Sequence, residues 1–523
     1  MKKTNLILAT LLLLTVACTN EDVSKKDHEQ NDDQSLTTFQ SGDIPSTRTT
    51  MDHTLGGGGK FFWETGDNIW VDKGGTLVAS TSSDITGKTK TARFQLSGSF
   101  PNSSYPVYYT GKGSTSGDEV TIATSQTQSV PNDFSHLGVS GDCGAASATN
   151  NGTTFFFQLE HKAAYLCFLP RSANDVIANC TLTKIEVTSD NPIAGTYDFT
   201  GGTLAATPKS NSSNTITLTT GASGFPLNNT ATDILKNGAY MVIAPGTHTL
   251  TIRYWVKSAV DNIEATVTKY VQGTFAPNTV SEIKSKLDNS YNNVKYYMWD
   301  AQQDLWAGLE SIQPTTVGAS ASTGLTRLDG SPRNSGHIYG VPYGGDTELL
   351  AASHTFKDQP NNNEVRWYAT AGDWYMDTKE AVVLMGHLYR GGFWCKKRAH
   401  IPGFNSTTAP AGYSGGGPVM TEGRPAYQDL DKYFYLPNLG KYSFNWTFDD
   451  KATFQRGDGI WDFLAWCSGI EGCVGIWNTP TGDHYALQAM GFYSGFASNS
   501  LYTHSMNEML EEDCYAAPIY HFE

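Results

Sequence analysis

The chain has 523 residues, a formal net charge of -15 and a sequence pI near 5.2. Only 17% of the residues are charged, against about 25% in typical soluble proteins, and 52 are glycine. An acidic chain without long basic blocks is a poor match for nucleic acid or for an anionic membrane surface, because both bind clustered lysine and arginine. At about 150 residues per domain, the length predicts three domains once a leader is removed.

The first residues form an export leader. Lys2 and Lys3 precede an apolar run at residues 6–14 that is too short to span a bilayer, and small residues follow at 15–17. Cys18 comes next, as in bacterial lipoprotein leaders, although Thr15 stands where such leaders usually carry leucine. We therefore predict a signal peptide at residues 1–18, a lipid such as palmitate on Cys18, and a surface-exposed precursor at the cell outer membrane. Ordinary signal cleavage that leaves a free thiol is the alternative.

Residues 19–48 are predicted to be a polar tether or pro-segment, because charges of both signs dominate and apolar residues are few. Only residues 36–40 (LTTFQ) have enough β character for a short strand. Arg48, in the polar sequence PSTRTT, is open to a trypsin-like protease. Lys60, just beyond a glycine run at residues 56–59, is the second candidate for cleavage.

Residues 49–172 and 173–290 are predicted to be two β-sandwich domains, because short strand patterns recur with turn residues between them. Apolar residues alternate with polar ones at Ala92, Phe94 and Leu96, and again in a second strand. That second set is Leu250, Ile252, Tyr254 and Val256. A helical period is not evident before Thr279, and residues 280–287 are predicted to be a short helix or a linker.

Residues 291–523 differ from the rest, since nine of the 12 tryptophans lie there. Tryptophans most often build a core, and less often an exposed platform for a ligand. Residues 460–467 (IWDFLAWC) are predicted to form a buried helix.

Seven cysteines remain after Cys18, and none forms a C-x-x-C pair, so a zinc ribbon is not indicated. In an exported protein we expect disulfides. Residues 467 and 473 are a candidate short loop, but four C-terminal cysteines allow three pairings and the sequence does not choose among them. The seven are Cys143, Cys167, Cys180, Cys395, Cys467, Cys473 and Cys514.

Three local patterns resemble the fimbrillin family of pilus subunits, which are secreted as lipoprotein precursors and assemble by strand exchange. The first is RTTM at residues 48–51 with FWETGDNIWV at 62–71. The second is FQLEHKAAYL at residues 157–166, and the third is IAGTYDF at 193–199. The resemblance covers residues 45–288.

This resemblance implies two β-sandwich domains, one of which loses a strand when a protease cuts after Arg48. Residues 36–40 would then belong to the segment removed, with a mere flexible tether as the alternative. Loss of a strand exposes unpaired backbone groups along a sheet edge, and a strand from a neighbouring subunit satisfies them. The mature form would lie in a fimbria. His161, in the second motif, is interpreted as a packed or hydrogen-bonded strand residue without a catalytic role.

Residues 431–440 (DKYFYLPNLG) and 475–487 (GIWNTPTGDHYAL) resemble a C-type-lectin-like fold found in surface paralogous domains. The predicted fold class is thus mainly β, with two sandwiches followed by a loop-rich α+β domain. Such a C-terminal module would let the chain accept a strand without donating one. The resemblance therefore implies a tip or accessory pilus subunit that binds other subunits and a surface glycan or protein. A stand-alone surface protein is the alternative.

Patterns typical of catalysis are weak. The GYSGGGP segment at residues 412–418 lacks the aspartate that precedes a protease serine, and we interpret it as a glycine loop. Acidic pairs at 449–450 and 511–513 are interpreted as solvated turns, so we predict no metal, cofactor or catalytic site.

Two further functions stay open. A non-polymerising glycan-binding surface lipoprotein would use aromatic rings as a platform, and our candidates are Trp394, Trp477 and Tyr485. A cysteine-dependent oxidase-like enzyme would use Cys467 and Cys473 as its reactive pair.

Overall fold

The computed structural model describes residues 35–42, 50–296, 304–323, 362–412, 416–419, 421–444, 451–455, 474–475, 488–495, 498–505, 514–516 and 518. Strands dominate these residues, which confirms the predicted mainly β fold class. The helices are α1 (Leu137–Ser140), α2 (Asp175–Ala178), α3 (Ile234–Asn237) and α4 (Asn362–Ala371). Within this part of the chain, no helix combines the length and the apolar character needed to cross a bilayer.

The first part of the chain forms one large sheet and shares smaller ones with the next part. Its strands are β1 (Leu36–Ser41), β2 (Thr50–His53), β3 (Gly59–Phe62), β4 (Trp70–Asp72), β5 (Leu77–Ala79), β6 (Ser82–Ser83), β7 (Arg93–Ser97), β8 (Ser104–Tyr109), β9 (Glu119–Ile122), β10 (Ser125–Thr127), β11 (Gly144–Asn150), β12 (Phe155–Phe157), β13 (Glu160–His161) and β14 (Ala164–Arg171).

The first sheet has the order β5-β4-β8-β11-β12-β1-β7-β6, and β13 also pairs with β11. The alternation predicted around β7 is confirmed, because Phe94 and Leu96 are buried while Arg93 is exposed. Strands with this period of two bury one face and leave the other in solvent.

The second part adds β15 (Thr181–Ser189), β16 (Ala194–Asp198), β17 (Ser210–Ser213), β18 (Thr215–Thr219), β19 (Phe225–Pro226), β20 (Ala239–Ile243), β21 (Gly246–Ser258), β22 (Ile263–Phe275) and β23 (Val280–Lys286). One sheet begins β10-β18-β15-β21-β22, with β19 on β15, and two smaller sheets have the orders β20-β14-β23 and β17-β16-β9. The alternation predicted in β21 is confirmed, since Leu250, Ile252, Tyr254 and Val256 are all buried.

The prediction of a helix or linker at residues 280–287 is wrong. These residues form β23, which pairs in parallel with β14 from Val280 opposite Tyr165 to Lys286 opposite Arg171. Ile283 and Ser285 are buried while the residues on either side of Ser285 are exposed, so the local period is two. Charged residues on the outward face disguised this strand in the sequence.

The third part contains β24 (Ser320–Ser322), β25 (Tyr375–Leu384), β26 (His387–Lys396), β27 (Gly416–Val419), β28 (Thr421–Glu422), β29 (Tyr433–Pro437), β30 (Lys441–Phe444), β31 (Lys451–Gln455), β32 (Val474–Gly475), β33 (Gln488–Gly495), β34 (Ser498–Ser505) and β35 (Cys514–Ala516). Trp306 and Trp374 are buried, as expected of core tryptophans. The predicted helix at 460–467 and the acidic pairs at 449–450 and 511–513 lie outside the described residues, and the lectin-like fold stays a prediction.

The sheet of the second part continues into the third, because β22 pairs in parallel with β25 through Thr266 opposite Glu380. From there the order runs β25-β26-β29, with β28 on β25. Ala381, Val383 and Leu388 pack into the same hydrophobic core as β21 and β22. The second and third parts therefore share one sheet and one core. The predicted domain limits at 172/173 and 290/291 stay predictions.

Candidate functional site

β1 lies inside the first sheet, between β7 and β12, and we call this place the seam. In the antiparallel ladder with β7, Phe39 lies opposite Phe94. In the parallel ladder with β12, Phe39 lies opposite Phe155. Because β1 bonds to strands on both sides, its removal would leave two facing strands with unpaired backbone groups.

Phe39 is the apolar anchor of β1. Its side chain is fully buried. Its ring stacks on Phe155 with centroids 4.7 Å apart and meets the Phe100 ring edge-on at 5.2 Å. Burial of a phenylalanine contributes about 1.5–3 kcal/mol, and a well-placed aromatic pair adds about 0.5–1.5 kcal/mol. A strand that filled the seam in place of β1 would need a large apolar side chain at this point.

Ser41 is the polar anchor of β1. It is fully buried, and its hydroxyl oxygen accepts a hydrogen bond of 2.8 Å from Nε1 of Trp63 and one of 2.9 Å from the backbone nitrogen of Ala92. The Trp63 ring is also fully buried. Without Ser41 the indole N–H would lose this acceptor inside the core, which costs about 1–3 kcal/mol.

The outward face of β1 is joined to β7 by polar side chains. Thr38 donates from Oγ1 to Oε1 of Gln95 at 3.1 Å, and Arg93 donates from Nε to Oε1 of Gln40 at 3.1 Å. Such solvated bonds add little stability, since each replaces a bond to water. Among the side chains of β1, the buried Phe39 and Ser41 therefore contribute most to keeping this strand in the seam.

The predicted cleavage site follows β1 along the chain. Arg48 falls within residues 43–49, which connect β1 to β2 and lie outside the described residues. The second candidate, Lys60, lies in β3 opposite Asp52 of β2. A residue inside a hydrogen-bonded hairpin is a poor protease substrate, which disfavours Lys60. Arg48 thus stays the predicted processing site.

His161 is a packed and hydrogen-bonded strand residue, as predicted. Its Nδ1 lies 2.7 Å from Oδ1 of Asp142, and the hydroxyl of Tyr165 lies 3.1 Å from the same nitrogen. The Phe61 ring stacks on the imidazole at 3.7 Å between centroids. Burial and the Asp142 carboxylate raise the pKa of Tyr165 well above its usual range. These side chains are closed off from solvent, and their role is to stabilise the core.

The expectation of disulfides is wrong for four cysteines: Cys143, Cys167, Cys180 and Cys395 are free and buried. Burial raises the pKa of Cys167 and of Cys180 to about 12 and raises that of the other two well above the usual range. A thiol held protonated is a poor nucleophile, so these four act as small apolar core residues. The pair Cys467 and Cys473 lies outside the described residues, and the absence of catalysis stays a prediction.

Of the three residues predicted to form a ligand platform, the structure describes only Trp394. Trp394, in β26, is half-buried, and its ring lies 4.9 Å from that of Tyr435 and 5.6 Å from the guanidinium carbon of Arg424. Trp477 and Tyr485 lie outside the described residues, as does the predicted lipid site Cys18. The platform and the lipid both stay predictions.

Sequence reasoning missed two features. Ser41 directly follows the predicted strand, and extending the alternation by one step from Phe39 would have included it. Arg424 carries no local signal, because its partners are distant in the sequence: Asp377, Glu380 and Tyr270.

No family model matches the chain, and no curated protein matches it. Solved structures similar to it include cell adhesion and fimbrial proteins, the class that the sequence resemblance named. One is a candidate cell adhesion protein from Bacteroides uniformis, 14% identical over 50% of this chain and 94% of that one, with a TM-score of 0.29.

Two further similar structures carry fimbrial names. A fimbrial protein from Bacteroides ovatus is 11% identical over 45% of this chain and 48% of its own, with a TM-score of 0.20. A fimbrilin from Porphyromonas gingivalis is 9% identical over 51% of this chain and 84% of its own, with a TM-score of 0.21. Scores and identities of this size support no inference about function.

Proposed function

We propose that the chain is a tip or accessory subunit of a surface fimbria, that it mediates cell adhesion, and that it joins the fibre by protease-triggered donor-strand exchange. The position of β1 carries this proposal. This strand lies inside a sheet, yet it precedes the predicted cleavage site at Arg48 in the sequence. A cut after Arg48 would separate β1 covalently from every other strand of its sheet.

The seam is suited to receiving another strand. With β1 gone, β7 and β12 would present unpaired N–H and C=O groups, and the site of Phe39 would open between Phe100 and Phe155. An extended segment with one large apolar residue would satisfy both the unpaired backbone groups and the empty side-chain site. Its backbone hydrogen bonds would provide affinity, and its apolar side chain would fix the register. Other subunits of the fibre would supply that segment.

The proposed position in the fibre follows from the long C-terminal part. Residues 291–523 come after the two predicted sandwich domains, where a strand-donating subunit would carry its donor segment. A subunit that accepts a strand and donates none ends a fibre, and a fibre end is where an adhesive part meets its ligand. The precursor would be attached to the outer membrane through the lipid on Cys18 alone.

The N-terminal residue of the mature protein in fimbriae tests the proposal. We expect Thr49 as that residue in protein recovered from fibres. Arg48→Ala should leave the chain exported but unassembled, whereas Arg398→Ala, which removes an exposed arginine elsewhere, should assemble normally. A chain that begins at Cys18 inside finished fibres would refute protease-triggered exchange.

One observation favours the second candidate, a non-polymerising surface lipoprotein that binds glycans. In the uncleaved chain β1 completes the first sheet from within, so this form needs no partner strand. Export followed by purification from cells with and without the protease separates the two functions. Monomers in both preparations select the lipoprotein, and oligomers confined to the protease-positive cells select the fimbrial subunit.

A further inference from the structure

A cleft of about 440 Å³ lies where the second and third parts of the chain meet. Its floor is the outward face of the second sheet. Thr188 lies opposite Thr251, and Thr251 lies opposite Tyr270 on the next strand. The intervening residues Val187 and Ile252 point into the core. The cleft thus has a flat floor of polar side chains that stand on three paired strands.

The wall of the cleft comes from the third part and is tied to the floor. Arg424 donates to the carboxylate of Asp377 from Nε at 2.9 Å and from Nη2 at 2.5 Å. It also donates to Glu380 at 2.6 Å and to the hydroxyl of Tyr270 at 2.9 Å. We call these four residues the joint. Glu380 in turn accepts bonds from the backbone and hydroxyl of Thr268 at 3.2 and 2.7 Å, so the wall is held rigidly.

The charges that line the cleft balance. Three cations are present, Arg253, Lys379 and Arg424, together with three carboxylates. These carboxylates belong to Glu186, Asp377 and Glu422. These lining residues sum to zero, and Glu380, which lies 2.6 Å from Arg424 in the joint, brings the local sum to -1. The buried Asp377 lies within 4 Å of both arginines. Such a lining offers many hydrogen-bond donors and acceptors but no net attraction for an anion.

An aromatic ledge borders the floor. Tyr427 stacks on Tyr270 with ring centroids 4.9 Å apart and planes inclined by 28°. Its side chain is 41% exposed, which is unusual for a large ring. Stacking fixes the ring at one edge of the cleft, where its open face can receive the apolar C–H face of a ligand.

We infer that this cleft binds an uncharged oligosaccharide. Sugar hydroxyls would bond to Glu186, Thr188 and Thr251 on the floor, and a sugar ring would lie against Tyr427. Fixed polar groups beside a fixed aromatic ring suit a ligand that is hydroxyl-rich on its rim and apolar on its face. This inference adds a ligand and a site to the proposed function, and it does not depend on fibre assembly.

A peptide strand is a poorer fit to the same surface. Peptides that add to sheets bond to an open strand edge. Here β21 is paired with β15 on one side and β22 on the other, so its backbone groups are already used. The floor presents side chains only, so an extended peptide would form no backbone ladder there.

The test uses the full exported chain, uncleaved and monomeric, so its outcome is separate from that of the assembly experiment. The chain is applied to an array of immobilised neutral, sialylated and sulfated oligosaccharides, with a set of acidic and basic peptides alongside. A neutral saccharide that binds is then titrated in free form against wild-type protein and variants by calorimetry.

We expect at least one neutral oligosaccharide to bind. Tyr427→Ala should weaken its binding about tenfold, and Glu186→Gln should weaken it severalfold, because one removes the ring and the other a charged acceptor. Phe156→Ala, which removes an exposed ring from β12 in the first sheet, is the matched control and should bind like the wild type. All three positions are solvent-exposed or half-exposed, so circular dichroism should show unchanged folding.

Three outcomes would overturn the inference. The first is no binding of any neutral saccharide by the wild-type chain at millimolar concentration. The second is a saccharide affinity that is the same in Tyr427→Ala, Glu186→Gln, Phe156→Ala and the wild type. The third is binding restricted to sialylated or sulfated sugars or to peptides, which would assign a different ligand class.

Discussion

The seam and the joint hold strands by opposite means. In the seam, backbone ladders and the stacked rings of Phe39 and Phe155 hold β1, with Ser41 as its one buried polar anchor. In the joint, Arg424 bridges two carboxylates and a tyrosine hydroxyl across the meeting of β22 and β25. The seam relies on a regular series of backbone hydrogen bonds and on apolar ring packing. The joint relies on ionic bonds from one arginine to particular partners.

The two contacts differ in how readily one strand could be replaced by another. Backbone ladders and an apolar pocket accept any extended segment with a suitable ring, so the seam is permissive toward another chain. A buried guanidinium with three partners accepts little else, because a mismatched partner leaves a charge unpaired. The contacts of the seam are therefore compatible with the proposed strand exchange, whereas those of the joint suit a permanent contact.

The largest expected effect is at the seam. Phe39→Ala should reduce the free energy of opening β1 by about 3–5 kcal/mol in the uncleaved chain, because it empties a fully buried site. Hydrogen exchange of the β7 and β12 amides measures this opening, with the exposed Phe156→Ala as the control. Fibres assembled from cleaved chains should be indifferent to Phe39→Ala, and a defect in those fibres would contradict the loss of β1.

The next effect is at the joint. Arg424→Ala leaves Glu380 without its arginine and leaves Asp377 with Arg253 alone, and it should destabilise the pairing of β25 by about 3 kcal/mol. Faster exchange of the β25 amides would report this change, while Arg398→Ala, at an exposed arginine, should leave them unaltered. Unchanged protection of β25 in Arg424→Ala would show that the core around Val383 holds the two parts together unaided.

A smaller effect separates the polar anchor of the seam from the apolar one. Ser41→Ala should cost about 1–3 kcal/mol, because the indole of Trp63 and the amide of Ala92 lose their acceptor. A shift of the Trp63 indole proton in the nuclear magnetic resonance spectrum checks the contact itself. Ser82→Ala, at an exposed serine in β6, serves as the control and should change neither quantity.

The smallest effect depends on pH. Burial alone would raise the pKa of Asp288, but bonds from Lys286, the Ala173 amide and the Ser172 hydroxyl outweigh it and lower the pKa to about 2. A lowered pKa in the folded state stabilises the fold above about pH 4, the ordinary value, and this contribution fades as the pH falls toward 2.

Thermal unfolding of the uncleaved chain between pH 2 and pH 7 measures that contribution, which we expect to be about 1–2 kcal/mol because the side chain is partly exposed. Asp288→Asn should lower stability near neutral pH and flatten this part of the profile. Equal acid sensitivity in both proteins would assign the loss to other carboxylates.

Local patterns predicted the strands well where burial is one-sided. Phe94 and Leu96, or Ile252 and Tyr254, alternate with polar residues because one face of each sheet meets the core and the other meets water. β23 was missed because its buried residues, Ile283 and Ser285, are few and one is polar.

Contacts between distant segments could not be predicted. Arg424, Asp377 and Tyr270 meet only because β22 pairs with β25, and a single sequence holds no record of that pairing. The cysteines illustrate the same limit. The predicted export leader argues for disulfides, but whether two thiols meet depends on the fold. Cys143 and Cys167 are instead enclosed singly in the core.

The mixed pairing of β1 has a consequence for how the chain would be seated at the proposed fibre end. The direction of β1 is fixed twice, antiparallel to β7 and parallel to β12. A replacement segment that restores both ladders must run the same way, so the subunit that donates it would dock on this chain in a single orientation. The same side of the chain would then face outward from the end of every fibre.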